Sequence, residues 1–179
     1  MVIGGPTAML VLVALSGVAT GLVALAVAQR MGWRRTVPMW LLVWSLACLV
    51  VITLVPSSTA TPVVVHTEVC SFDYDGPAPD GFWIIPGGQR LLNTLVFIPS
   101  GALLVWTLGQ FRRGLRWVLP GLLALAGCSV AIELAQQKVS RLGRACDVTD
   151  MVDNTLGAII GVVLGLMAVG VARLVKPRR

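Results

Sequence analysis

Charge is scarce in this chain of 179 residues: only 12% of them are charged, and 56% are hydrophobic. An ordinary soluble domain is about 25% charged, so this composition excludes a typical soluble protein and favours a lipid environment. The net charge of +6 does not indicate a nucleic-acid-binding protein. The basic residues come in short clusters between apolar runs, and they form no basic stripe interleaved with aromatic residues.

Histidine and paired cysteines are also scarce. The chain has one His, His66, and four Cys residues without a Cys-x-x-Cys pair. Zinc sites and dithiol redox sites need clusters of these residue types, so we predict no metal and no other cofactor. The sequence shows no nucleophile–base pair, and no catalytic residue is assigned from it.

Five apolar runs are each long enough for a membrane-spanning helix, which needs about 17–25 residues. They cover residues 3–28, 39–55, 91–111, 117–137 and 151–175. Pro38 is taken as the start of the second helix and Pro56 as its end, since proline suits both positions. The sequence therefore predicts an all-α polytopic membrane helix bundle. Its parts are two N-terminal helices (1–56), an extracytoplasmic loop (57–90), a three-helix core (91–175) and a basic tail (176–179).

The distribution of Lys and Arg predicts the orientation. Ten of the 14 basic residues follow the first span, separate the third span from the fourth, or close the chain. With five spans these ten share one side, which the positive-inside rule assigns to the cytoplasm. All eight acidic residues fall on the opposite side or in the helix ends nearest to it. We therefore expect a multi-pass protein with its N-terminus outside and its C-terminus in the cytoplasm.

Two of the cysteines fall in segments that this topology makes extracytoplasmic, Cys70 and Cys146. That compartment permits disulfides, and a bond between these two would close a loop of tens of residues. In the loop-entropy model such a bond stabilises by roughly 4 kcal/mol. Two unpaired thiols are the alternative. Cys48 and Cys128 lie within apolar helices and are interpreted as small buried side chains.

Polar residues gather near the predicted outer ends of the last three spans. Residues three or four apart share a helix face, and on the fifth span the polar and glycine positions fall within about 60° of one another. Three helices are therefore expected to contribute to one ligand-binding site. Its candidate residues are Asn93, Phe97, Glu133, Gln136, Arg144, Asp147, Asp150 and Asn154.

Glu133 is the most informative of these, because a carboxylate within a membrane span is expensive and usually has a partner. Arg144 is the natural partner, and Asn93 or Asn154 are possible hydrogen-bond donors to it. Arg144–Asp150 as a simple interfacial ion pair is an alternative.

Simpler structural roles stand beside the site interpretation. Asp147-x-x-Asp150 resembles a capping box that starts the fifth span, with Asp147 as the N-cap. Gly157 and Gly161 are four residues apart, a spacing that lets another helix approach closely. Pro99 is expected to kink the third span while its neighbours satisfy the freed backbone groups.

The order and spacing of these residues resemble the VanZ-like family of bacterial membrane proteins. The pattern is Asn-x3-Phe-x-Pro-x-Gly, then Glu-x2-Gln, then Arg-x2-Asp-x2-Asp-x3-Asn-x2-Gly-x3-Gly. It is met by Asn93, Phe97, Pro99, Gly101, Glu133, Gln136, Arg144, Asp147, Asp150, Asn154, Gly157 and Gly161. One departure is Ser100, where a Leu is commoner. The resemblance implies a protein of the bacterial cytoplasmic membrane, and the founding member is linked to teicoplanin resistance.

The leading functional hypothesis is an outer-leaflet polar pocket that binds or modifies a cell-envelope lipid, a lipid-linked wall precursor or a lipoglycopeptide. Arg144 would meet an anionic group of the ligand. The first alternative is a polar lock, in which the same residues only hold the helices together or support a protein partner. A membrane-embedded hydrolase or transferase would use Glu133, Asp147 and Asp150 as ligands for Mg²⁺ or Ca²⁺, or as acid and base. A transporter is disfavoured, since no repeated broken helices are visible.

Overall fold

The computed structural model describes residues 5–55, 70, 88–138 and 147–175, with the backbone alone at residues 88 and 89. Within these residues the chain is all-helical and has no β-strand. The helices are α1 (Pro6–Met31), α2 (Trp33–Leu54), α3 (Gly88–Gly109), α4 (Val118–Lys138) and α5 (Val148–Val175), with a 3₁₀ turn at Gly114–Trp117. All five α-helices are long and apolar enough to cross a membrane, which confirms the predicted fold class.

The start of α2 differs from the prediction. The helix begins at Trp33, so Pro38 lies inside it and does not mark its start. Gly32 has φ +79°, a value that glycine adopts easily. This one residue turns the chain, and α2 follows α1 directly. Pro38 removes from α2 the hydrogen bond that its missing N–H would have donated to the carbonyl of Arg34.

The first two helices pack antiparallel and are fixed by two tryptophans of α2. The indole N–H of Trp44 donates to the carbonyl oxygen of Val13 at 3.1 Å. The indole N–H of Trp40 donates to Thr20 Oγ1 at the same distance, and the two rings stack 5.8 Å apart. Buried indole groups usually need such a partner. These two hydrogen bonds fix the position of α1 along α2, which apolar contacts alone would not specify.

Helix α2 joins the other helices through a pair of serines. Ser45 of α2 and Ser100 of α3 approach to 3.1 Å between their hydroxyl oxygens, and Ser100 is fully buried. Ser100 is the position at which the sequence departs from the pattern that it resembles. Ser45 Oγ donates to the carbonyl oxygen of Leu42 at 2.8 Å, so the Ser100 hydroxyl is the donor to Ser45 Oγ. The departure at Ser100 therefore adds a polar contact between α2 and α3.

The most extensive helix contact lies between α3 and α5, which run parallel. Their backbones touch along what we call the α3–α5 seam, formed by Gly101, Gly157, Gly161 and Gly165. A Cβ atom at Gly157 would overlap the carbonyl oxygen of Thr94, and one at Gly161 would overlap that of Ile98. Small residues permit this close approach. Beside the seam, a hydrophobic core is formed by Leu49, Phe97, Leu125, Ile132 and Ala158.

Charge is segregated between the two ends of the bundle, because successive helices alternate in direction. One end, the acidic end, holds the four described acidic residues, Glu133, Asp147, Asp150 and Asp153, together with Arg90 and Lys138. The basic end holds Arg30, Arg34, Arg35, Arg112, Arg113, Arg116 and Arg173. The positive-inside rule therefore still predicts that the basic end is cytoplasmic.

Reporter fusions test this orientation. A fluorescent protein that folds only in the cytoplasm should fluoresce when fused after Arg179, and alkaline phosphatase fused there should be inactive. Fusions after Val55, at the end of α2, are the matched control and should give the opposite pair of results. Active phosphatase after Arg179 would mean that the orientation is inverted.

Candidate functional site

The acidic end of the bundle carries a continuous group of polar side chains, which we call the acidic-end cluster. Its members come from the start of α3, the end of α4 and the start of α5. They are Arg90, Asn93, Ser129, Glu133, Gln136, Asp147, Asp150, Asp153 and Asn154. Apart from the neighbours Asp153 and Asn154, the members on one helix are spaced three or four residues apart, so they lie on one side of that helix.

Arg90 and Asp153 form a two-bond ion pair between α3 and α5. Arg90 Nε lies 2.8 Å from Asp153 Oδ2, and Arg90 Nη2 lies 3.0 Å from Oδ1. The side chain of Asp153 is only 5% exposed and that of Arg90 is 18% exposed. This paired geometry is the strong form of an arginine–carboxylate contact. The ion pair fixes the register of α3 along α5.

Sequence reasoning missed this pair as part of the site. From the sequence, Arg90 indicates only the topology, and Asp153 is not among the candidate residues. The signal was present in the spacing, since Arg90 lies three residues before Asn93 and Asp153 lies three residues after Asp150. Each therefore shares a helix face with a residue that the sequence analysis did select.

Contrary to the expectation from the sequence, neither Asn93 nor Asn154 donates a hydrogen bond to Glu133. Asn93 Nδ2 donates to Asp150 Oδ1 at 2.5 Å, across the α3–α5 seam. Asn154 Nδ2 donates to Ser129 Oγ at 3.0 Å, one helical turn deeper in the bundle. The reason is proximity: α3 lies directly against α5, so Asn93 meets Asp150 first, and Asn154 faces the residue one turn before Glu133 on α4.

Glu133 anchors the start of α5 to the end of α4. This side chain is 2% exposed, and its Oε2 accepts the backbone N–H of Asp147 at 3.3 Å. Asp147 Oδ1 in turn accepts the N–H of Thr149 at 2.8 Å, which is the bond of an N-cap residue. The reciprocal bond of a capping box would come from Asp150. Here Glu133 of the neighbouring helix takes that place.

Gln136 brings a fourth helix to the cluster. Its Nε2 donates to the carbonyl oxygen of Thr53 at 2.9 Å, near the end of α2. The last four carbonyl groups of a helix have no partner within the helix, and this bond satisfies one of them. Gln136 is 3% exposed, so the amide is held in place by packing as well as by the hydrogen bond.

The other candidate residues have different positions. Phe97 is fully buried in the hydrophobic core and is not part of the polar surface. Pro99 lies on an exposed face of α3, and Gly101 lies in the α3–α5 seam. Arg144 lies outside the described residues, so its pairing with Glu133 or Asp150 stays a prediction.

The proposed disulfide also stays a prediction. Cys48 and Cys128 are free thiols within the spans, and no disulfide joins two of the cysteines that the structure describes. Cys70 is partly buried and is not a free thiol. Its expected partner, Cys146, lies outside the described residues.

Some hydrogen-bond acceptors of the acidic-end cluster are not satisfied within the described part of the chain. Among the described residues, no hydrogen bond reaches the side-chain amide oxygens of Asn93, Gln136 and Asn154. No three acidic, His or Cys side chains in the described part of the chain converge as metal ligands. Chemically, the arrangement is suited to ligands that donate hydrogen bonds, such as hydroxyl and ammonium groups.

Comparison with known proteins identifies the family. Neither the curated proteins nor the solved structures provide a match. A family model described as VanZ/LLP1 matches residues 42–169. The match covers more than half of the 179 residues and extends from within α2 to most of α5, so it includes every residue of the acidic-end cluster. The chain is therefore a member of the VanZ/LLP1 family.

Proposed function

We propose that this membrane protein binds the polar head group of a cell-envelope lipid at the acidic-end cluster. One observation carries the proposal. Three amide oxygens from three different helices, those of Asn93, Gln136 and Asn154, have no donor among the described residues although their amide nitrogens are all bonded. A cluster that served only to join helices would have no use for acceptors that no described helix pairs.

The chemistry of the cluster indicates which part of a lipid it recognises. Carboxylates and amide oxygens accept hydrogen bonds from sugar or glycerol hydroxyls and from ammonium groups. A phospholipid, a lipid-linked wall precursor and a lipoglycopeptide all present such donors beside an anionic group. Arg144, which precedes the cap residue Asp147 by three positions, is our candidate for contacting that anionic group.

The position of the cluster matches the position of such a head group. It lies at the ends of the spans, where a lipid head group meets the protein surface. The positive-inside rule assigns this end to the extracytoplasmic side, which is the outer leaflet of a bacterial cytoplasmic membrane. Teicoplanin resistance is part of the proposal only for a wall-precursor or lipoglycopeptide ligand.

A polar lock is the second candidate function, and specific bonds favour it. Gln136 to Thr53, Asn154 to Ser129 and Asn93 to Asp150 each join two different helices. Hydrogen bonds between spanning helices contribute about 0.6 kcal/mol each on average, so these three would stabilise the bundle whether or not a ligand binds.

Glu133→Gln separates the two functions. Glutamine keeps the shape and still offers an oxygen to the N–H of Asp147, so the junction between α4 and α5 should survive. The negative charge is lost, and a bond between a charged acceptor and a ligand contributes about 1.5–3 kcal/mol. We therefore expect the folded variant to retain less lipid than the wild type, by a factor of about ten or more. The measurement is native mass spectrometry of protein extracted gently from its own membrane, with a thermal unfolding scan of each sample.

Lys138→Gln is the matched control. Lys138 is exposed at the same end of the bundle, and its replacement by glutamine also changes the net charge by one unit. It should retain the wild-type lipid. If Glu133→Gln also retains that lipid at the wild-type level, head-group binding at this cluster is refuted. If Glu133→Gln instead unfolds at a much lower temperature and lipid retention follows stability, the cluster is a polar lock.

A further inference from the structure

A groove at the basic end of the bundle has features that the acidic-end cluster does not explain. It lies between the second halves of α3 and α5 and has a volume of about 660 Å³. Its wall is apolar, with Ala102, Trp106 and Ala168 among the lining residues. Its rim carries Arg34 and Arg173. A second hollow of about 640 Å³ adjoins it at Arg34 and Gln110. Volumes of about 300–1,000 Å³ are typical of small-molecule sites.

The two rim arginines come from different helices and have no counter-charge within the described part of the chain. Arg34 belongs to the start of α2 and Arg173 to the end of α5. The described acidic residues all lie at the opposite end, and the salt bridge found among the described residues is that of Arg90. Arg35 differs, because its guanidinium lies over the Phe111 ring, 5.7 Å from the centroid.

The combination of an apolar groove and a cationic rim is complementary to one kind of molecule. An acyl chain would lie in the groove along α3 and α5, and a phosphate would lie at the membrane surface between the two guanidinium groups. Basic pockets between spanning helices on the cytoplasmic side are typical sites for anionic lipid head groups. A soluble anion would not contact the apolar wall, and a neutral lipid would not need the two arginines at the rim.

We propose that this groove is a binding site for an anionic phospholipid, held by its phosphate at Arg34 and Arg173 and by one acyl chain against α3 and α5. The site lies at the opposite end of the bundle from the acidic-end cluster, so it does not depend on the function proposed there. It would tie the start of α2 to the end of α5, two segments that are far apart in the sequence.

The test is native mass spectrometry of the full chain with added phosphatidylglycerol or phosphatidylcholine. Each arginine near a membrane surface contributes about a factor of five to the binding of an anionic lipid. The double variant Arg34→Gln/Arg173→Gln should therefore bind phosphatidylglycerol about 25-fold more weakly, with phosphatidylcholine binding unchanged. The matched control is Arg30→Gln/Arg112→Gln, which removes the same charge at the same end from exposed positions outside the groove.

A second variant tests the acyl-chain part without changing charge. Ala168→Phe fills the groove from an exposed position of α5 and should also weaken phosphatidylglycerol binding. Equal losses in the two arginine double variants would mean general charge attraction and would overturn the proposal. So would full displacement of the lipid by glycerol 3-phosphate, since that result would identify a site for a soluble phosphate. Wild-type lipid binding by Ala168→Phe would contradict the acyl-chain placement.

Discussion

Replacing Arg90 with methionine should lower the free energy of unfolding by about 3–5 kcal/mol, because it leaves a buried charge without its partner. The side chain of Asp153 is 5% exposed, and both of its oxygens accept hydrogen bonds from Arg90. Methionine fills similar space but offers no donor. The measurement is denaturation in mixed detergent micelles, followed by circular dichroism.

Two controls separate the loss of the pair from the loss of a charge. Arg112→Met removes an exposed arginine with no ion pair among the described residues, and should change stability by no more than about 0.5 kcal/mol. The double variant Arg90→Met/Asp153→Leu should recover most of the loss, since replacing both partners of a buried pair by apolar groups is often neutral. If the double variant is no more stable than Arg90→Met, the unpaired carboxylate is not the cause.

The five helices could be predicted from hydropathy because each span must bury its backbone polar groups within itself in lipid. Their ends could not be predicted so well. Residues 88–90 are helical although they are not apolar, and α5 already begins at Val148 because Asp147 caps it. An apolar run marks the part of a helix that lies in lipid, whereas a cap or a polar first turn lies beyond it.

The residues of the site could be predicted better than their partners. Helical spacing placed Asn93, Asp150 and Asn154 near one end of the bundle, but spacing within one helix does not say which neighbouring helix a side chain meets. The expected bonds to Glu133 are replaced by bonds to Asp150 and Ser129. These pairings follow from the backbone contact of α3 with α5, which is a property of the packed bundle.

Contacts to the main chain were the least predictable. Gln136 donates to the carbonyl oxygen of Thr53, and Glu133 accepts the N–H of Asp147. Every residue has these backbone groups, so the sequence carries no signal for which of them a side chain will find. The sequence therefore does not indicate that α2 takes part in the acidic-end cluster.

The α3–α5 seam yields the other large expected effect. Gly161→Leu should destabilise the bundle by about 3 kcal/mol or more, because overpacked sites must move their surroundings. A Cβ atom at this position would meet the carbonyl oxygen of Ile98, the nitrogen of Ala102 and the Cα of Gly101, all of them backbone atoms. A side chain can change its rotamer to make room, but a helix backbone can only move as a whole.

Gly170→Leu is the matched control for this variant, since it places the same side chain on the same helix nine residues later. Nothing lies within 4 Å of a Cβ atom there, and the position is exposed. Gly170→Leu should therefore be at least as stable as wild type, because leucine is a better helix former than glycine. Separating α3 from α5 at Gly161 should also pull Asn93 from Asp150 and Arg90 from Asp153. If the cluster binds lipid as we propose, Gly161→Leu should therefore lose lipid retention at the acidic end together with stability, although it touches no residue of the cluster. Equal stability of the two leucine variants would show that the helices do not need the close approach of the seam, and the alignment of the cluster would then need another cause.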